Sequence, residues 1–348
     1  MRRTYRFGHR FSALAVAGLS FVSICAITAL ASNATALAAP ASATQSETPE
    51  PTASASPTPS LSPSPSPSPS PSPTKAPIGQ IGAFQTGYLK FKVAESARRS
   101  LLLVVRWPIL PAGAAKEKFP LIVFAPGYMQ CDSPYRPLLL SIASAGYVVA
   151  AVNFPRTDCH AGSSLDRADL INEPRDLSYS ITKLINMGKA TTGPLSGLID
   201  DAKIGAMGHS DGGVVIGLLA ANTCCVDHRV RASVIDAGAF WTAPGSYFAR
   251  QPAPIMWEQG SADVINNPRD SVVMYDSDPS LDRYYLDLLG ASHTTPVWGS
   301  NPTERLNALI TTEFFDKWLL GQATDAAMKK NGNRRGVDIF VSGGRQAP

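Results

Sequence analysis

Five consecutive residues constrain this 348-residue chain more tightly than any other stretch: Gly208-His209-Ser210-Asp211-Gly212, set between the apolar run 203–207 and the small, aliphatic run 213–220. Strand, sharp turn and helix in that order put a serine at the apex of the turn. A hydroxyl held there stands clear above the sheet, and the flanking glycines let the backbone close without a Cβ clash. The pentapeptide alone is a weak signal, because glycine and serine recur together in surface loops. Its context has to decide.

A nucleophilic serine needs a histidine to take its proton and a carboxylate to orient that histidine, and behind such an elbow they follow in the order serine, acid, histidine. The chain has five histidines. His9 lies near the N-terminus, His160 precedes the serine, and His209 is its neighbour on the turn, with a side chain expected to point elsewhere. His228 falls just before the strand-like run 231–235, at the far end of a sheet from the serine. His293, in the loop Gly290-Ala291-Ser292-His293 after the strand-like run 283–289, remains as the candidate base.

Two aspartates end strands between these positions. Asp263 closes a strand running into Gly260-Ser261-Ala262, and Asp236 closes the strand before it. Asp263 is favoured because its small-residue turn projects a carboxylate toward the histidine loop, which leaves Asp236 as a site-lining or turn-forming residue. An oxyanion formed in acyl transfer needs two backbone donors, one from the residue after the nucleophile and one from an earlier strand-to-helix loop. The expected donors are the amides of Asp211 and of Tyr128, the latter in the Pro126-Gly127 turn after the run 121–125.

These segments, with Ala145-Gly146-Tyr147-Val148-Val149-Ala150 and Asn172-Glu173-Pro174-Arg175-Asp176, make residues 78–321 resemble the α/β-hydrolase superfamily. Within it the chain is similar to the lidless secreted esterases: cutinase-like and polyester hydrolase-like, chlorophyllase-like and platelet-activating-factor-acetylhydrolase-like. The resemblance implies carboxylic-ester hydrolysis through Ser210, His293 and Asp263, with no metal and no cofactor. One residue departs from it. Asp211 stands where the cutinase-like members usually carry an apolar side chain, and a carboxylate aimed at the oxyanion hole would oppose the anionic intermediate. Asp211 must therefore point away into a salt bridge, or the activity is unusual.

The fold expected is α/β, a mostly parallel sheet with helices on both faces. Strand-like runs at 101–106, 121–124, 147–152, 203–207, 231–235, 255–258 and 284–289 alternate with amphipathic stretches at 134–145, 174–187 and 303–320. Continuous apolar strands between helices imply a sheet buried on both sides. Only a short loop separates Asp236 from Pro254, so no large lid is expected, and its Phe240 and Trp241 are candidates for an aromatic substrate-binding wall.

Residues 1–38 read as a signal peptide. Arg2, Arg3, Arg6 and Arg10 precede the apolar run 11–31, and small-residue cleavage sites follow at Ala36-Leu37-Ala38 and Ala41-Ser42-Ala43. The alternative is a retained anchor, since the run is long enough to span a membrane. No acidic residue occurs before Glu47, so setting the leader aside balances cations and anions in the rest. The net charge of +4 then belongs to targeting and gives no reason to expect a nucleic-acid partner. Residues 39–77 form a linker that is mostly Ser, Pro, Thr and Ala, with an unbroken Ser-Pro repeat over 62–73; it cannot bury a core and reads as an extended spacer that could associate the enzyme with the cell envelope. Residues 78–322 are expected to be the catalytic domain and 323–348 a C-terminal tail.

Once Cys25 leaves with the signal, four cysteines remain for an oxidising compartment. In the fold that the resemblance implies, Cys131 and Cys159 follow neighbouring strands and are paired here. Cys224 and Cys225 are either a vicinal disulfide or reduced. Without any C-x-x-C spacing the four are not expected to hold zinc. The whole reads as a secreted monomer acting on small-molecule or polymeric esters. Two alternatives stand beside it: an acyltransferase to an envelope acceptor, and an inactive hydrolase-fold surface protein that only binds.

Overall fold

Nine strands lie side by side in one sheet in the computed structural model, which describes residues 78–111 and 116–348. The stretches expected to be a signal peptide, 1–38, and a linker, 39–77, lie outside the described residues. In chain order the strands are β1 (Gln85–Ser96), β2 (Arg99–Ile109), β3 (Phe119–Ala125), β4 (Val148–Asn153), β5 (Ile199–His209), β6 (Val230–Asp236), β7 (Ile255–Gly260), β8 (Arg283–Leu288) and β9 (Asp338–Ser342). Their spatial order is β1-β2-β4-β3-β5-β6-β7-β8-β9. From β4 through β8 neighbours run parallel, while β1 and β2 at one edge and β9 at the other pair antiparallel. This is the mostly parallel sheet that the apolar runs implied.

The central strands are apolar on both sides because helices cover both. One layer of core joins Val123, Ile204, Ile235 and Trp257 to the helices α2 (Glu173–Lys189), α3 (Asp211–Ala221) and α4 (Pro268–Ser277). The other joins Ile122, Met207, Val234 and Met256 to α1 (Arg136–Ser144), α5 (Pro302–Leu320) and α6 (Asp325–Asn331). Alternate residues of one strand thus feed opposite cores, as the two-residue period of a strand requires. Each fully buried aliphatic or aromatic side chain contributes roughly 1.5–3 kcal/mol.

Four elements, β1, α4, α6 and β9, were not among the expected ones. The strand β1 alternates Leu89, Phe91 and Val93 with Tyr88, Lys90 and Lys92, a half-buried pattern rather than a continuous apolar run. The helix α4 carries only a sparse apolar face. The stretch 323–348 is not an appendage: α6 buries Met328, and β9 adds to the sheet with Phe340 in the core. A strand of only five residues leaves little trace in sequence even between Gly336 and Gly343-Gly344; here it pairs with β8 at the sheet edge.

Candidate active site

Ser210 has φ 58° and ψ −123°, a conformation that only a tight elbow imposes on a residue with a side chain. The backbones around it approach so closely that a Cβ on Gly208 would sit 2.3 Å from the Gly212 carbonyl oxygen, and one on Gly212 would sit 1.9 Å from that of Ala125. Both glycines are therefore obligatory. The elbow is also tied to the next strand, since the Ser210 amide donates to the Asp236 carbonyl at 2.9 Å.

Three residues distant in sequence meet at this apex. Ser210 Oγ lies 2.9 Å from His293 Nε2, and His293 Nδ1 lies 2.7 Å from Asp263 Oδ2. The carboxylate is firmly held: Gln259 Nε2 also donates to Oδ2 at 3.0 Å, and the amides of Ile265 and Asn266 donate to Oδ1 at 2.8 and 2.9 Å. Burial pushes the Asp263 carboxyl up, but the hydrogen bonds from His293, Asn266 and Ile265 outweigh it and hold the group below its ordinary range. Asp263 is thus an anion aimed at Nδ1. That fixes the proton on Nδ1 and leaves Nε2 to accept from the serine hydroxyl.

On the oxyanion side, Tyr128 and Asp211 line the same cavity as Ser210 and His293. The Asp211 amide opens α3, where the first amides have no intrahelical acceptor. The Tyr128 amide has no protein acceptor among the described residues. The cavity measures about 380 Å³ and is completed by Gln130, Arg167, Ile265, Asn266, Thr294 and Trp298.

Beneath the apex runs a hydrogen-bond chain made by residues to which the sequence assigned no role. The Gly127 amide donates to the Tyr135 hydroxyl at 3.0 Å, that hydroxyl lies 3.0 Å from His209 Nδ1, and His209 Nε2 lies 2.8 Å from the His293 carbonyl oxygen. The direction of the chain follows from chemistry. A carbonyl can only accept, so His209 carries its proton on Nε2; its Nδ1 must then accept, and Tyr135 must donate to it. Burial holds His209 down to about 3, with the nearby His293 adding to the effect, so the ring stays neutral. The loop bearing Tyr128, the elbow and the His293 loop are thereby tied to one another.

Family comparison agrees with this geometry. The family described as PETase, PET hydrolase-like, matches residues 106–319, well over half of the chain. The chain belongs to the PET hydrolase-like family. It is accordingly an α/β hydrolase that acts on esters, in the superfamily of cutinase- and polyester hydrolase-like enzymes to which its motifs pointed. No match is found among curated proteins.

Against that family pattern the position after the serine is the visible departure, and the structure shows how the chain accommodates it. The Asp211 carboxylate is held by the Arg167 guanidinium, with Nε to Oδ2 at 2.7 Å and Nη2 to Oδ1 at 2.5 Å. Arg167 in turn lies over the rings of Tyr128, 5.8 Å from the centroid, and Trp241, at 5.2 Å. Bidentate pairing offsets the charge of the carboxylate beside the serine.

The remaining candidates fall in different places. Phe240 packs on Tyr247 and Phe248, 4.8 and 6.2 Å between centroids, keeps 37% of its surface exposed, and is not among the residues that line the cavity around Ser210. Trp241 does not line the cavity either, and meets the site only through Arg167. Asp236 lies fully buried under the elbow beside Glu258, its strand neighbour, and does not reach His293. Cys131 and Cys159 are bridged, as are Cys224 and Cys225. The first bridge joins the loop after β3, which carries Tyr128, to the loop after β4. His160 Nδ1 lies near both of its sulfurs, which are already bonded to each other.

Of the residues that sequence reading passed over, His209 and Gln259 carried a usable signal. Each is a polar residue inside an otherwise apolar strand end, where burial demands a partner. Arg167 and Tyr135 carried none, since only the fold brings them to the serine.

Proposed function

We propose that the chain is a secreted serine esterase in which Ser210 is the nucleophile, His293 the general base and acid, and Asp263 the residue that orients and stabilises the imidazolium. The observation that carries this reading is the continuous contact from Ser210 Oγ through His293 to Asp263 at hydrogen-bond distance. As Oγ attacks an ester carbonyl, its proton passes to Nε2. The tetrahedral oxyanion takes hydrogen bonds from the Tyr128 and Asp211 amides, each worth about 3–4 kcal/mol in such sites. His293 then protonates the departing alcohol, and a water activated by the same nitrogen releases the acid.

The form of the site favours extended apolar esters. The cavity is shallow, and it is flanked by the exposed side chains of Met129, Val264 and Ile265. Such a rim suits a chain that lies across the surface, a polyester segment or a long acyl ester, better than one swallowed whole. The Arg167–Asp211 pair supports catalysis over an inactive binding protein, because it removes the one feature that opposed an oxyanion.

The test is a series of initial rates on p-nitrophenyl esters from acetate to palmitate, with Ser210→Ala beside the wild type. The expected loss in the variant is roughly 10⁴-fold or more in kcat. Wild-type rates no faster than the variant's, with no labelling by a fluorophosphonate, would overturn the assignment.

A further inference from the structure

A buried arginine outside the active site has an unanswered donor. Arg106 on β2 is 3% exposed. Its Nη2 meets Asp132 at 3.0 Å and its guanidinium lies 5.6 Å from the centroid of the Tyr88 ring. Its Nη1, however, is buried with no hydrogen-bond partner. A ring beneath the guanidinium plane does not satisfy N–H groups at its edge, and leaving a buried donor unmade costs about 1–3 kcal/mol.

Basic side chains gather beside this arginine. The antiparallel register sets Tyr88 opposite Arg106, Lys90 opposite Val104 and Lys92 opposite Leu102. Directly opposed residues share a face, so Tyr88, Lys90, Lys92 and Arg106 all project to one side of the β1–β2 hairpin, while Phe91 and Val93 go to the core on the other. Arg106 lines a cavity of about 480 Å³ there, between the hairpin and the first turn of α1, with Lys90, Arg136 and Ser133. A second cavity of about 400 Å³ continues from Lys90 past Lys92 to Ser100, Asn153 and His160. Two carboxylates line this groove. Asp132 is engaged by Arg106, and Asp158 is turned inward and bonded to the His160 amide. Lys90, Lys92 and Arg136 have no ion-pair partner among the described residues. With Asp132 and Arg106 offsetting each other, Lys90, Lys92 and Arg136 outnumber Asp158, so the groove is biased toward negative ligands.

We propose that this groove binds a linear anionic chain bearing phosphate groups, met in turn by Arg136, Lys90 and Lys92. A chain fits better than a single anion because the two cavities abut at Lys90 and the charges run along the strand. The groove is lined by none of Ser210, His293 and Asp263, so binding there would hold the enzyme to an anionic matrix while leaving ester hydrolysis free.

Calorimetric titration of the full chain with linear polyphosphate of about ten units, and with inorganic phosphate, tests this. Polyphosphate is expected to bind saturably, more tightly than inorganic phosphate, and to weaken as salt rises from 50 to 200 mM. Affinity is expected to fall about tenfold or more in Lys90→Glu/Lys92→Glu and to weaken in Arg136→Ala. These side chains are exposed, so the variants should keep the wild-type Tm and p-nitrophenyl acetate rate, and Ser210→Ala should bind like wild type. No saturable binding at 50 mM salt, or binding that the lysine pair does not affect, would overturn the proposal. So would equal affinity for inorganic phosphate, or tighter binding of a single-stranded DNA of equal charge, which would point to base stacking.

Discussion

The two sides of Ser210 are built from opposite materials. Below it, Tyr135 and His209 are 0% and 1% exposed and form a neutral hydrogen-bond chain in which every ring nitrogen and hydroxyl is used. Above it, Arg167 and Asp211 form a charged pair whose arginine side chain is 52% exposed. A neutral, fully satisfied network in a low-dielectric interior is rigid, because any departure leaves a buried polar group unpaired. A charged pair at the surface is screened and adjustable. The difference assigns geometry to the buried side and electrostatic tuning to the rim.

Tyr135→Phe is the sharpest way to break the comparison. It keeps the ring but removes the hydroxyl, stranding the Gly127 amide and His209 Nδ1, and so frees the oxyanion loop and the His293 loop from each other. A loss of roughly 10- to 100-fold in kcat is expected, with a smaller change in KM, since small misplacements of reacting groups carry costs of that size. Steady-state kinetics on a short p-nitrophenyl ester measure it. An unchanged kcat would show that the chain serves stability alone.

Arg167→Ala should have a smaller effect with a distinctive reversal. The substitution frees a carboxylate beside the oxyanion position, where solvent limits its cost to about 1 kcal/mol, or roughly fivefold in kcat. Adding Asp211→Asn in the same chain should restore most of the loss, because the charge that opposed the intermediate is gone. The double-mutant cycle reads the coupling directly. If Asp211→Asn fails to rescue, Arg167 acts through substrate contact rather than through its partner.

This division also explains what was legible in the sequence. The elbow, the order of Ser210, Asp263 and His293, and the parallel strands around them follow from local patterns: glycines at a tight turn, apolar runs and the polar residues that end them. Tyr135 and Arg167 are respectively 75 and 43 positions from Ser210; no spacing rule links them to it, and only the packing of α1 and of the 3₁₀ turn Arg167–Asn172 beside α3 does so. Asp211 was readable as an anomaly, and its ion pair answers one of the two outcomes the sequence left open. Phe240 packs on its own loop, and a short aromatic loop reads the same in sequence whether it lines a cavity or packs on itself.

The deepest part of the neutral side makes the last and smallest prediction. Asp236 and Glu258 are both 0% exposed and sit opposite each other on β6 and β7. Asp236 accepts from Asn307 Nδ2 at 2.9 Å and Glu258 from Thr311 Oγ1 at 2.9 Å. Burial pushes Asp236 up to about 8, with Asn307 opposing and the charge of Asp263 adding to it, and burial with the charge of Asp236 pushes Glu258 well above its ordinary range. The native state therefore keeps protons that the unfolded chain has released above about pH 4–5. With fewer protons on the unfolded state, stability must fall as pH rises toward 8. Asp263 works in the opposite sense, but its contribution is complete above the ordinary carboxylate range and is lost only in acid. Between pH 5 and 8 the buried pair therefore adds to a fall in stability that Glu173, pushed up to about 8 by burial, shares, while His209, held down to about 3, works against it below the ordinary histidine pKa. Glu258→Gln removes one of the two groups and should flatten that decline, as read by calorimetry at pH 5, 6.5 and 8. Because Ser210 bonds to the Asp236 backbone rather than to its carboxyl, kcat should scarcely move; a steep loss of kcat with an unchanged Tm slope would instead make the buried carboxylates part of the site's geometry.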